Sequence, residues 1–341
     1  MNHFLLIDWP TGQNKFWLAD ELDKLGCNVN VIGIQNYNPD NIIVRWRKIL
    51  LWLQYLLLGL RAIRESEKGD VIISWNFVVG AIVGFLNRFL RARRKVISLN
   101  MIVHQKKSIN SVLRNIIYRY VLKSEEFFIT LNTDNLVNLY KHHYNISIKN
   151  FAQLPDVLFD SYDDIPFDEG DGTIFSGGEA TRDWKTLLEV AAMNPELSFQ
   201  IIARKKYFPQ EIQIPRNVNV TFDTTEDVFY TVLKTCSVVA LPLASAEPSG
   251  LIVLLRAAML SRPIITTSTP SVRNYITHKK TGVLVDIGDA RTFSDELNIL
   301  IRSPDIRKNY ANECKHFIKA NFTPRKYAEK IITILKSKRW I

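Results

Sequence analysis

Short apolar runs alternate with helix-length amphipathic stretches along this 341-residue chain, and that alternation constrains the fold more than any other feature. Residues 4–7 form an apolar run that leads into a polar turn containing Gly12. A helical pattern follows through Leu18, Leu22 and Leu25; Gly26 ends it, and 29–34 read as a second strand. Strand, helix and strand in that order predict a βαβ unit and a parallel sheet. Strand patterns recur at 70–75, 95–100 and 126–132. These strands end in Asp8, Trp75, Asn100 and Asn132. In an open α/β sheet the carboxyl ends of the strands line the ligand crevice; the bland alternative is that strands often stop at polar residues.

The rhythm breaks at 154–172, an acidic stretch punctuated by Gly and Pro that reads as a linker. It then restarts, with strands at 173–175, 198–203, 218–222, 237–243, 263–266 and 282–285. Helices are expected at 185–192, 226–235 and 250–260, and a basic amphipathic helix closes the chain. The length suits two domains, and a 47% hydrophobic content supplies two cores and excludes a disordered chain. The expected organisation is an α/β domain over 1–153, the linker 154–172, a second α/β domain over 173–323 and a final helix over 324–341. Three scattered cysteines make neither a disulfide framework nor a metal-ligand pair, so a reducing, cytoplasmic setting is expected. The N-terminus reads as a strand, not as a signal peptide.

Two strand-to-helix junctions carry the residue types that hold anions. At Glu247-Pro248-Ser249-Gly250 a buried strand gives way to a helix, with Ser249 placed as its N-cap and Gly250 in its first turn. The free N–H groups of Gly250, Leu251 and Ile252, with the helix dipole, favour a phosphate there. A capped core helix would show the same pattern. At Ser176-Gly177-Gly178 a small-residue loop leads to Arg182 and Lys185. Cations at a helix start oppose its dipole, so a bound anion gives them a reason to be there; a solvated helix face is the alternative.

These residues carry a resemblance. Ser176-Gly177-Gly178 with Arg182 and Leu187-Leu188-Glu189, then Ser249-Gly250 with Ala257 and Pro263-Ile264-Ile265, look like the C-terminal domain of retaining GT-B glycosyltransferases of family four. Phe322-Thr323-Pro324 resembles the start of that family's last helix, which crosses back toward the first domain. The resemblance implies a GT-B fold, two Rossmann-like α/β domains facing across a cleft, and transfer of a sugar with retention from a UDP- or GDP-linked donor. It implies a donor site of Gly177, Gly178, Arg182, Lys185, Glu247, Ser249, Gly250, Leu251, Ile252 and Arg256. Glu247 matches a glutamate that contacts the donor sugar. Arg256 stands where the family has the glutamate that binds ribose, and an arginine cannot accept a hydrogen bond. Asn100 falls where many relatives have a histidine that contacts the donor sugar, and His104 could take over that role. Asn100, His104 and Glu247 are therefore the catalytic candidates, and Gly12 and Trp75 the acceptor-side candidates.

No metal or other cofactor is expected. The clustered carboxylates Asp160, Asp163 and Asp164 lie in the linker, not at the end of an apolar strand. Net charge is +10, and residues 1–150 hold 20 Lys and Arg against 11 Asp and Glu. The first half is thus expected to meet an anionic partner. In 45–64 basic flanks enclose twelve uncharged residues with two tryptophans nearby, too few to span a bilayer but suited to its interface. A second basic cluster lies at 85–95. A buried helix with solvated ends is the competing account, and no nucleic-acid recognition motif is present. The expected setting is the inner face of the cell membrane and a glycan or lipid-linked glycan acceptor, in surface polysaccharide assembly. The competing functions are a catalytically silent GT-B partner protein and a sugar-nucleotide epimerase.

Overall fold

The computed structural model describes residues 2–8, 16–34, 44–101, 109–144, 150–158, 165–179, 181–246 and 250–341. It divides the chain into two compact units, Met1–Pro155 with Pro324–Ile341, and Asp156–Thr323.

The first unit is a parallel six-stranded sheet. Its strands are β1 (His3–Leu6), β2 (Val29–Ile32), β3 (Val71–Ser74), β4 (Lys95–Ser98), β5 (Phe127–Leu131) and β6 (Phe151–Gln153). They are ordered β2-β1-β3-β4-β5-β6. β1, β3 and β5 are buried along their whole length, which is why they read as near-continuous apolar runs without alternation. The helices are α1 (Trp17–Lys24), α2 (Val44–Glu65), α3 (Phe77–Phe89), α4 (Ile109–Leu122) and α5 (Asn135–Tyr144). Asn76 caps α3, its side chain accepting from the N–H groups of Val78 at 2.8 Å and Val79 at 3.3 Å. α11 (Pro324–Ser337) belongs to this unit and packs on α1, where Tyr327 meets Trp17 edge to face at 5.7 Å.

The second unit repeats the plan with a parallel sheet ordered β12-β11-β10-β7-β8-β9. Its strands are β7 (Thr173–Gly178), β8 (Ser198–Ala203), β9 (Val218–Phe222), β10 (Val238–Leu241), β11 (Ile264–Thr267) and β12 (Val283–Val285). Its helices are α6 (Trp184–Met193), α7 (Glu226–Thr235), α8 (Leu251–Met259), α9 (Ala290–Arg302) and α10 (Pro304–Asn321). Trp184, Leu187, Phe199, Leu297 and Phe293 lie in its apolar core. The chain runs from β7 outward to β8 and β9, then returns to lay β10 on the other side of β7. The loops that leave β7 and β10 therefore diverge, which opens a crevice at the carboxyl ends of these two strands.

The acidic stretch that reads as a linker behaves differently from a free tether. From Asp156 onward its described residues are anchored within the second unit. The Tyr275 hydroxyl donates to the Asp156 carbonyl at 3.1 Å, and Ser261 Oγ donates to the Ile165 carbonyl at 2.7 Å. Arg262, fully buried, forms an ion pair with Asp168 at 2.6 Å.

Candidate functional site

The crevice at the carboxyl ends of β7 and β10 is a pocket of about 440 Å³ wholly within the second unit. Gly178, Arg182, Gly250, Leu251, Ile252 and Arg256 all line it. Two loops distant in sequence thus meet, and local backbone geometry shows how. The Asp183 N–H donates to the Pro242 carbonyl at 2.9 Å, and the Ala244 N–H donates to the Thr181 carbonyl at 3.0 Å. Arg182 is held between them, bridged to Leu243. Thr181 sits at φ +61°, a left-handed conformation that costs a β-branched residue about 1–3 kcal/mol.

Arg182 is the central charge of the pocket. Its side chain is buried, and its Nε donates to the Gly177 carbonyl at 2.7 Å. Its Nη1 is buried and finds no hydrogen-bond partner, and no carboxylate pairs with the guanidinium among the described residues. Burial lowers its pKa to about 10, which still leaves it cationic at neutral pH. The other two pocket arginines are neutralised: Arg204 pairs with Glu179 at 3.0 Å and faces Asp223 at 3.8 Å, and Arg256 pairs with Glu226. A buried cation without a counter-charge is costly unless an anion joins it.

Glycine is required where the backbone meets that guanidinium. Gly178 has φ +128°, and a Cβ there would lie 2.4 Å from Arg182 Nη2. Gly250 has φ +76°, and a Cβ there would lie 2.6 Å from Arg182 Nη1. Gly250 is itself the N-cap of α8, so the helix begins one residue later than the sequence reading placed it. The N–H groups of the first helical residues have no partner in their own helix, and Leu251 and Ile252 line the pocket. A buried cation, a left-handed glycine and a helix N-terminus thus converge on one space. That combination fits a phosphate.

Other predicted residues fall elsewhere. Lys185 is three-quarters exposed, pairs with Glu189 on its own helix at 3.8 Å, and does not line this pocket. Gly177 faces an aromatic pair: a Cβ there would come within 2.6 Å of both Phe175 and Phe229, which meet edge to face at 5.2 Å. Asn100 and Trp75 are in the first unit. The Asn100 N–H donates to Thr130 Oγ1 at 2.8 Å, and its side-chain amide reaches the Tyr327 hydroxyl at 3.4 Å. Trp75 stacks edge to face with Phe16 at 5.1 Å and Trp17 at 5.7 Å. Beside it, Asp8 accepts from the Asn76 amide at 2.6 Å. Gly12, His104, Glu247 and Ser249 lie outside the described residues. Arg204, Asp223, Glu226 and Phe229 line the pocket and were not singled out from sequence. The available signal was position: they follow β8 and β9, whose carboxyl ends face the same side as that of β7.

Two Rossmann-like units, each a parallel sheet flanked by helices, with a crevice at the switch point of the second, define the GT-B class of fold. Residues 179–317 match the family model of glycosyl transferases group 1, so the resemblance read from the sequence holds over that segment. Solved structures with the same fold cover nearly the whole chain. The chain is 12% identical to HepE from Anabaena, solved with UDP and glucose, at a TM-score of 0.69, covering 99% of this chain and 100% of that one. It is 14% identical to the sucrose-phosphate synthase from Thermosynechococcus elongatus, at a TM-score of 0.70 with 99% of each chain covered. A glycosyltransferase from Rickettsia africae is 11% identical, with a TM-score of 0.68 and coverage of 99% and 98%. No curated protein sequence matches the chain.

Proposed function

We propose that the protein is a glycosyltransferase that moves a sugar from a UDP- or GDP-linked donor to a glycan or lipid-linked glycan, with retention of configuration. The observation that carries this is the buried Arg182 guanidinium, which no carboxylate among the described residues pairs with and which faces a helix N-terminus in the switch-point pocket. The relative from Anabaena, solved with UDP and glucose, supports a nucleotide-sugar as the ligand. In the reaction the bond from the anomeric carbon to the diphosphate oxygen breaks, and its electron pair leaves with the diphosphate. The acceptor oxygen bonds to that carbon and releases its proton. Arg182 and the N–H groups of Leu251 and Ile252 stabilise the charge that grows on the leaving diphosphate. They take the role that a metal ion plays in other transferases, so the proposed reaction needs none.

The acceptor is proposed to meet the first unit at Trp75, whose ring packs on Phe16 and which precedes Asn76, the donor to the Asp8 carboxylate. That unit also presents a surface suited to lipid. Ile49, Trp52, Leu53, Leu56, Leu57 and Leu60 recur at helical spacing along one face of α2, and each is at least 39% exposed. α2 packs on α3, where Phe85 and Phe89 are also exposed. Arg64, Arg91 and Arg93 are exposed nearby in sequence. No described helix is long and apolar enough to cross a membrane. An apolar face with basic neighbours suits peripheral docking on an anionic bilayer, at the cytoplasmic face in the proposed setting of surface polysaccharide assembly. The test is incubation with a panel of UDP- and GDP-sugars, with and without membrane lipid extract, while following nucleotide diphosphate release. Release with one donor, increased by the extract, is the expected result; no binding and no release with any donor would refute the proposal.

A further inference from the structure

Arg256 Nη1 donates to Glu226 Oε1, an ion pair that joins α8 to the first turn of α7. Both residues line the pocket that holds Gly178, Arg182 and Gly250. The two ends of the pair differ in environment: the Arg256 side chain is 20% exposed and that of Glu226 is 69% exposed. Arg256 lies six positions beyond Gly250, a rise of about 9 Å along the helix. A nucleotide whose diphosphate sits at the Arg182 end therefore extends toward this pair with its sugar ring.

The vicinal hydroxyls of a ribose are donors that need an acceptor. Arg256 has none to give, because a guanidinium only donates. Glu226 does, since a carboxylate accepts through both oxygens and one of them is already fixed by Arg256. Resting on the donor role proposed above, we infer that Glu226 accepts the hydrogen bonds of the nucleotide's ribose hydroxyls and that Arg256 is the positioning residue that aims it. The carboxylate on this wall of the pocket is thus supplied from α7 and not from α8.

The test is calorimetric titration of the full-length protein with UDP and GDP and with their 2′,3′-dideoxy counterparts. The variants are Glu226→Ala, Arg256→Ala and the double variant Glu226→Ala/Arg256→Glu. Wild type should prefer the ribonucleotide over its dideoxy form by about 10- to 100-fold, the range for hydrogen bonds to a charged group. Glu226→Ala should lose that preference while binding the dideoxy form as wild type does. Arg256→Ala should lose part of the preference, and the double variant, which places a glutamate on α8, should recover part of it. Glu226 is exposed, so its replacement leaves the fold intact and the comparison readable. Equal loss for both nucleotide forms, or no loss for either, overturns the assignment. If wild type binds neither UDP nor GDP, the donor role itself fails, an outcome distinct from a lost ribose preference.

Discussion

Arg182 and Gly250 are in contact across 68 residues of sequence: a Cβ on Gly250 would lie 2.6 Å from Arg182 Nη1. Gly250 also holds φ +76°, which costs an L side chain about 1–2 kcal/mol. Gly250→Ala should therefore lower stability by about that amount. By pushing the guanidinium aside it should also weaken nucleotide diphosphate binding more than tenfold. Thermal denaturation and titration of the same sample check both effects.

Arg262 is fully buried, and Asp168 is its ion-pair partner. The hydrogen bond from Arg262 holds the Asp168 carboxyl below its ordinary pKa of 3.8. A depressed folded-state pKa means that the unfolded chain binds the proton more readily. The stabilisation is present above the ordinary value and is lost as pH falls through the lower, folded value. Asp168→Asn should accordingly reduce stability near neutrality by about 1 kcal/mol, the Asp168 carboxylate itself being largely solvated. It should also flatten the loss of stability below about pH 4. Denaturant melts of both proteins between pH 3 and pH 7 measure this.

Much of this architecture was legible in the sequence because it is local. Continuous apolar runs such as that of β3 mark strands buried on both faces, and the glycines and Arg182 flank strand-to-helix junctions that any βα unit must have. Other features depend on distance. Arg182 precedes α6 and turns inward, whereas Lys185 lies on its first turn and points to solvent; three residues of spacing gave no way to separate them. Glu226 reaches the pocket because the sheet returns from β9 to β10 beside β7, so its partner Arg256 is 30 residues away. The stretch after Asp156 reads as a tether by composition, yet Arg262 and Ser261 hold its Asp168 side chain and Ile165 carbonyl. Composition does not show such anchors.

Exposed apolar residues on one face of α2 should govern membrane attachment. Sedimentation with vesicles containing anionic lipid should decrease with added salt, since the basic residues act within a Debye length of about 8–10 Å. Replacing Trp52 and Leu57, 49% and 55% exposed, by serine should reduce it at every salt concentration and leave thermal stability within about 0.5 kcal/mol. Sedimentation unaffected by either change would count against lipid docking by this face.

Diphosphate binding through a side-chain cation and helix N–H groups should not need a divalent ion. Titration of UDP or GDP in the presence of EDTA should give the affinity measured without it. A large loss on chelation, restored by magnesium, would show that a metal carries the phosphate contact.

The most direct measurement concerns Arg182 itself. Wild type and Arg182→Met should be titrated with UDP and GDP and with the corresponding nucleosides, and their unliganded stability compared. Methionine removes a buried charge that no carboxylate among the described residues pairs with, so the variant should be at least as stable as wild type. Wild type should bind the nucleotide diphosphate at least 100-fold more tightly than the nucleoside, and Arg182→Met should lose most of that difference, as expected of a charge-assisted contact of about 3 kcal/mol. A nucleoside that binds as tightly as its diphosphate, or a variant that keeps the full difference, would contradict a phosphate site at Arg182.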